Sequence, residues 1–519
     1  MSARDSGELP DAQGHMGSFG PAGPQWSPAA PVTPGRRIGS RHPMRLVLAA
    51  VATGLVLVGG GVLFALDGGS GHGKPSAHSP ATAPPSASPS VDQGDGKGTG
   101  EGGAAYDPNA GIAAGESPVW LRENETALTQ QGAEQFGPWR AGDVVARAMY
   151  KEVTGYGAGD GKDRWKLTFD TPLCGVPHAP SAQNKLVVGL LASNIKGAHC
   201  TILQQIDLAT GTAGWKTVRN EAPSGGSALT LTMAISGDTV AVAWNGGATG
   251  YSVADGHKLY DVARSDRCSP QAFAGGARLI SAGYCFDAGD PHGRPGDLLQ
   301  ELDPATGKPR WSYQYDKEWR IGQVLSVDPL VVTALPTEGK SWQILAFTAD
   351  GKLRSRSVPA FQTASVCSGY GQSLDQLQSC YGAVADAGTL YIAADGTGTD
   401  VTRDADGTQV VAVDLDTGKE KWRANPDPGR KVRPLAVEDG KVVVYLDAGP
   451  RLPAAVAVLA PAGGTPQVFL RSPVASADAE RALYAPKPAW AQGRLFLLNK
   501  RVQTSRPDHR VHALLSFGR

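Results

Sequence analysis

The most constraining feature of this chain is a segment it repeats. IDLATGTAGW (Ile206–Trp215), ELDPATGKPRW (Glu301–Trp311) and VDLDTGKEKW (Val413–Trp422) each run Asp-x-x-Thr-Gly and place a tryptophan four residues after the glycine. The same step, glycine then a large ring, recurs at Gly161/Trp165 and Gly256/Tyr260, beside Gly211/Trp215, Gly307/Trp311 and Gly418/Trp422. TADGKLRS is a degraded copy with Gly351 and with Ser355 at the tryptophan position, and APAGGTPQ around Gly463 and the terminal HALLSFGR look like two more. Trp165, Trp215, Tyr260 and Trp311 are 50, 45 and 51 residues apart. A period of that length points to a repeat architecture, which a continuous single core does not produce.

The turn chemistry is legible. Aspartate accepts hydrogen bonds from the backbone two residues on, and glycine supplies the positive φ that a tight hairpin needs. Four residues past the glycine the ring has entered the outgoing strand, where it can cover a neighbouring unit. Between these turns lie short strand-like runs such as KLVVGLL (Lys185–Leu191), DTVAVAW (Asp238–Trp244), TLYIAA (Thr389–Ala394), KVVVYL (Lys441–Leu446) and RLFLLN (Arg494–Asn499). No long helical period interrupts them. The expectation is an all-β propeller of four-stranded antiparallel blades over residues 118–519, with eight blades the better fit to the period and seven the alternative.

LDxxTGKxxW resembles the repeat of the pyrroloquinoline-quinone-like propellers. That group includes quinoprotein dehydrogenases, an outer-membrane assembly lipoprotein and the extracellular sensor regions of bacterial Ser/Thr kinases. The resemblance covers roughly residues 140–519. It implies that Trp165, Trp215, Trp311 and Trp422 dock adjacent blades, with Tyr260 as a substitute, and that the glycines at 161, 211, 256, 307 and 418 form the turns beneath them. It also raises the reading of a quinone-dependent dehydrogenase. The quinoprotein alcohol dehydrogenases it brings to mind carry adjacent cysteines and a calcium site of Glu, Asn and Asp, and this sequence matches neither. The expectation is therefore no cofactor and no catalytic or metal-binding residues.

The part before residue 118 reads differently. Leu46–Leu66, LVLAAVATGLVLVGGGVLFAL, is uncharged and as a helix would span roughly 30 Å, a bilayer core. Arg36, Arg37, Arg41 and Arg45 precede it, so the positive-inside bias puts residues 1–45 in the cytoplasm and everything after Asp67 outside. Both residues 1–45 and residues 67–117 are Pro/Gly/Ser-rich with no apolar period, which reads as disorder. The expectation is a single-pass membrane protein of bacterial type with an extracytoplasmic propeller.

Six cysteines, Cys174, Cys200, Cys268, Cys285, Cys367 and Cys380, all fall on the external side. An even count in an oxidising compartment suggests disulfides. In four-stranded blades, lettered A to D, the A–B and C–D turns share one face while B–C loops and D–A connectors share the other. The Thr-Gly turns are C–D turns. The long segments 192–200, 283–297, 394–408 and 500–510 are B–C loops of the opposite face. The cysteines sit among the loops and connectors of that face, which suggests Cys174–Cys200, Cys268–Cys285 and Cys367–Cys380, each stapling loops there.

Charge excludes one class of partner. With 49 basic and 49 acidic residues the chain has no general electrostatic pull toward nucleic acid. The external histidines, His178, His199, His257, His292, His509 and His512, form no metal motif, and Asp400, Asp404 and Asp406 lack the terminal Glu of a calcium loop. Asn124-Glu-Thr126 matches a glycosylation sequon by chance. What remains is a non-catalytic tethered propeller that binds a protein, peptide or cell-envelope ligand as scaffold or sensor.

Overall fold

A computed structural model describes residues 106–519 except 220–228, 245–246, 263–267, 286–295, 339–340, 363–376, 396–406, 425–429, 451 and 507–508. The expected leader (1–45), the span (46–66) and linker residues 67–105 lie outside the described residues. No helix among those described is long and apolar enough to cross a membrane.

The chain forms eight antiparallel sheets, which is an eight-bladed propeller. Seven blades are built from consecutive strands. Blade one runs from Ala133–Ala141 through Val144–Met149 and Glu152–Gly157 to Asp163–Thr168, and blade seven ends with Gly463–Arg471. The eighth is composite. Lys487–Ala491, Arg494–Leu498 and His512–Gly518 supply its A, B and C strands, and Val119–Glu123 from the other end of the domain supplies D, pairing Val119 with Phe517. HALLSFGR is therefore not a full turn-and-ring copy. It is a C strand whose outer partner comes from the far end of the sequence, which ties first blade to last.

Burial follows strand position. B strands such as Lys185–Leu191 and Lys441–Leu446 pack against neighbouring blades on both faces, so their apolar runs are nearly continuous. Outer D strands face a blade on one side only, and Asp163–Thr168, Ala213–Val218 and Pro309–Gln314 alternate exposed and half-buried residues.

The Asp-x-x-Thr-Gly turn is built alike wherever it occurs. Asp207 Oδ1 accepts the amides of Ala209 and Thr210, Asp303 Oδ1 those of Ala305 and Thr306, and Asp414 Oδ1 those of Asp416 and Thr417. The amide of each turn glycine donates to the carbonyl of the same aspartate at 2.8 Å. Gly211, Gly307 and Gly418 have φ of +73°, +68° and +68°, a region that strains any other residue.

Two details depart from the sequence reading. Segment 500–510 is not only a loop: Arg501–Val502 pairs with Ala133–Glu134 and adds a fifth strand to blade one. Four of the cysteines belong to strands, while Cys380 lies in the connector between blades five and six. Cys174 lies in the A strand Leu173–Gly175 and Cys200 opens the C strand Cys200–Asp207 of blade two, while Cys268 and Cys285 face each other across the A–B ladder of blade four.

Candidate binding site

The rings after the turns lie on the glycines of the next blade. A Cβ added to Gly211 would stand 2.4 Å from the Trp165 ring, and one on Gly256 would stand 2.4 Å from Trp215. Tyr260 covers Gly307, Trp311 covers Gly351 and Trp422 covers Gly463 in the same way. Trp165 is also closed from its own blade, where a Cβ on Gly155 would meet the ring at 2.3 Å. Indole N–H groups fasten two of these contacts, Trp215 Nε1 to the Val253 carbonyl at 2.8 Å and Trp422 Nε1 to that of Pro461 at 2.8 Å. One docking ring escaped the sequence reading. Trp120, in the composite blade, covers Gly161 and donates to the Ala158 carbonyl at 2.9 Å. Glu116 stands where its turn glycine would be, four residues earlier, so the turn-and-ring step does not mark it, although it precedes Trp165 by 45 residues, one repeat. These residues are structural, and a binding site has to be sought elsewhere.

The innermost strands surround a central void of about 260 Å³. Phe136, Trp139, Met233, Phe273 and Leu435 line it with apolar surface, and His178, Tyr381 and Lys487 bring polar groups to it. The connector between blades five and six fills part of the channel. Gln378 exchanges hydrogen bonds with both backbone groups of Gly275, and Ser379 donates its amide and hydroxyl to Gln323 Oε1.

Lys487 is the buried cation of this region. Its Nζ donates to the Gln135 carbonyl at 2.8 Å, stands 3.5 Å from the Glu134 carboxylate and lies 5.3 Å above the Phe136 ring. Burial lowers its pKa and the Glu134 charge works against that lowering. The His178 ring opens to the void yet is enclosed by protein, and this enclosure, with the Lys487 charge second, pushes its pKa down and favours the neutral ring. Burial, with Glu134 second, raises the Tyr381 hydroxyl. Lys487 thus clasps blade eight to blade one, and nothing in the repeat marks it.

The donor set does not fit a calcium-assisted quinone. Among the described residues no three His, Cys, Asp or Glu side chains converge as metal ligands. The Glu134 carboxylate is engaged by Lys487, which lines the void. Asp400, Asp404, Asp406 and His292 lie outside the described residues. Asn124 of the formal sequon is buried, with its amide donating to Thr126 and Gln503 carbonyls, which leaves no room for a glycan.

The second candidate is the face of connectors and B–C loops. Cys174 is bonded to Cys200 and Cys268 to Cys285; Cys380 is also disulfide-bonded, and Cys367 lies outside the described residues. Ile195, Leu229, Val358, Leu452, Val474 and Tyr484 are large, exposed and apolar or aromatic, and all six belong to these loops and connectors. Among the described residues none of the A–B or C–D turns on the other face exposes such a side chain.

Comparison with known proteins agrees with this architecture. Residues 104–267, spanning the closing strand and blades one to three, match the family model described as outer membrane protein assembly factor BamB. Over that third of its length the chain matches the PQQ-like repeat, and its fold is an eight-bladed propeller. No curated protein matches it. Among solved structures it is similar to BamB from Moraxella catarrhalis, at 18% identity over 77% of this chain and 100% of that one, with a TM-score of 0.41. It is also similar to the quinohemoprotein alcohol dehydrogenase ADHIIG from Pseudomonas putida HK5, at 11% identity over 77% and 76% of the two chains with a TM-score of 0.44. A europium-containing methanol dehydrogenase stands at 11% identity over 77% and 92%, TM-score 0.44.

Proposed function

We propose that this PQQ-like propeller is a non-catalytic binding module, tethered to the membrane by Leu46–Leu66 with its propeller outside the cytoplasm. On this reading its connector face engages a protein, peptide or cell-envelope ligand. The observation that carries it is the asymmetry between faces. One bears tight turns with no exposed large apolar side chain among the described residues, and the other bears six. Apolar groups held on ordered loops of a rigid scaffold are the usual material of a binding surface. The matched family model, that of an assembly factor, supports binding over turnover.

The loop 193–198 offers a clean test. Its base is closed by the Ala192 amide on the His199 carbonyl at 2.8 Å, so it can be replaced by a two-residue turn without moving the strands, and it carries the exposed Ile195. Crosslinking in intact cells, read by mass spectrometry, should recover one envelope protein with the full chain and lose it with the shortened loop. Recovery of only background proteins from both would remove the stable-partner reading. Dye-linked alcohol oxidation after adding the quinone to the purified protein would favour the dehydrogenase instead.

A further inference from the structure

Backbone hydrogen bonds tie both ends of the connector between blades seven and eight, while side chains hold its middle. The Ser472 amide donates to the Ala454 carbonyl at 3.0 Å, and the Lys500 amide to the Tyr484 carbonyl at 3.0 Å. Between these ties the helix Ala477–Arg481 turns Ala479, and Leu483 after it, into the core that the two blades share. Two polar contacts assist this apolar wedge. One is the Tyr106 hydroxyl on the Ala475 carbonyl at 2.8 Å, so a residue that composition assigns to the linker is docked here. The other is the carboxyl of Glu480, a residue only 3% exposed.

Glu480 is held by neutral groups. Its Oε1 accepts the Tyr445 hydroxyl and, at 2.7 Å, the Ala448 amide, and its Oε2 has no partner among the described residues. The charges around it have other bonds. Arg433 Nη1 lies 2.7 Å from Asp447 Oδ1, and the charge of Lys431 also bears on Asp447. Arg430 donates to the carbonyls of Leu446, Asp447 and Pro453, and on the helix itself Arg481 pairs with Asp478. Blade eight meets the wedge with Leu495, Leu497, Leu515 and Phe517. A negative charge formed in this place leaves one oxygen with neither water nor donor, which is costly. Its way to water is outward with the helix, because the ends of the connector are fixed and the middle is not.

We infer that the connector 472–486 is a pH-operated latch on the connector face: protonated Glu480 holds the helix Ala477–Arg481 in the seam, and ionised Glu480 lets it swing out. Val474 and Tyr484, which flank the helix and are 49% and 66% exposed, are two of the six large side chains of that face. Opening rearranges the surface on which they stand and weakens binding there. This functional half rests on the reading of the face as the binding surface; the latch itself does not. Burial raises the Glu480 pKa from 4.5 to about 8 against the two hydrogen bonds and Arg430, with Asp447 adding to the rise. The closed form is therefore favoured at low pH. The open form gains about tenfold per pH unit between the two values and levels off above the higher one.

The test follows amide hydrogen exchange of the purified full chain at about pH 6 and about pH 8, each corrected for the intrinsic rate at that pH. The peptide covering 472–486 should lose about fiftyfold in protection across that interval, while 192–199 stays unchanged. Glu480→Gln keeps an oxygen for both hydrogen bonds and cannot ionise, so its protection should not depend on pH. A native chain whose 472–486 peptide moves no more than the control overturns the latch, and so does an unchanged pH response in the Gln variant. Crosslinking in intact cells at the same two pH values tests the functional half. The partner captured at the lower pH should be lost at the higher one by the native chain and kept by Glu480→Gln. Capture that ignores pH while exchange responds to it overturns control of the face by the latch. Capture of no partner at either pH counts against the face as binding surface, and exchange still decides the latch.

Discussion

The seam between blades one and two and the seam between blades five and six solve the same problem with different material. At the first, the Trp165 ring fills the space between Gly155 of its own blade and Gly211 of the next. At the second, the ring is missing, since Ser355 stands in its place. The backbone closes in instead, and a Cβ on Gly418 would meet the Arg356 carbonyl oxygen at 2.7 Å. Blades seven and eight use a third solution. No chain-continuous C–D turn exists in the composite blade. The short helix Ala477–Arg481 wedges Ala479 and Leu483 into a core shared with Val443, Leu495, Leu515 and Phe517. The repeat is thus one way to dock a blade, and a unit can lose its ring where backbone or connector takes over the contact.

The largest expected effect separates the third solution from the first. Glu480 of the wedge is buried, accepts hydrogen bonds from the Tyr445 hydroxyl and the Ala448 amide, and leaves its other carboxylate oxygen without a partner among the described residues. Burial raises its pKa from 4.5 to about 8; Asp447 adds to the rise, while the two hydrogen bonds and Arg430 oppose it. The fold therefore prefers the protonated acid. Its stabilising contribution is complete below the unfolded pKa and is lost as pH rises from about 4.5 through about 8. The loss is of the order of 5 kcal/mol. Denaturant midpoints measured across that range should fall for the native chain, and Glu480→Gln should flatten the trend. A seam closed by tryptophan carries no such dependence.

Next in size is the ring that closes the circle. Trp120→Ala removes a half-buried indole and its bond to Ala158, and should cost about 3 kcal/mol. The unfolding rate should rise accordingly, because this strand joins the two ends of the domain. Gly211→Ala follows at about 2 kcal/mol, from a positive φ and a methyl group driven into the Trp165 ring. Calorimetry on Gly211→Ala in a Trp165→Ala background should recover part of that cost, since the ring that clashes is then gone.

These residues also mark how far the sequence could be read. The turns and the rings at 165, 215, 260, 311 and 422 are local, a few residues long and periodic, so spacing alone exposes them. Trp120 lacks the turn glycine four residues earlier that marks the others, and Lys487 depends on Glu134 and Gln135, which are more than 350 positions away. The pairing that closes the ring, Val119 with Phe517, joins residues far apart in the chain, which no local spacing reveals. The pairs Cys174–Cys200 and Cys268–Cys285 were legible but not as strand residues, because a three-residue strand such as Leu173–Gly175 looks like connector in the sequence. His178 fails as a metal ligand on motif grounds and still faces the channel, where topology and not spacing puts it.

The smallest effect tests the comparison most sharply. If backbone has replaced the ring between blades five and six, Ser355 contributes little, and Ser355→Ala should change stability by less than about 0.5 kcal/mol. Restoring the repeat should not help either. A tryptophan at 355 would need the space over Gly418, where the Arg356 carbonyl already lies within van der Waals range of any added carbon and the Ser357 amide follows at 3.3 Å. The ring would have to push blade five away from blade six or turn out into solvent. Ser355→Trp is therefore expected to leave the melting temperature unchanged or lower it. A rise of several degrees would mean that the seam still holds room for its missing ring, and that blade five is a worn copy of the repeat whose docking has no substitute.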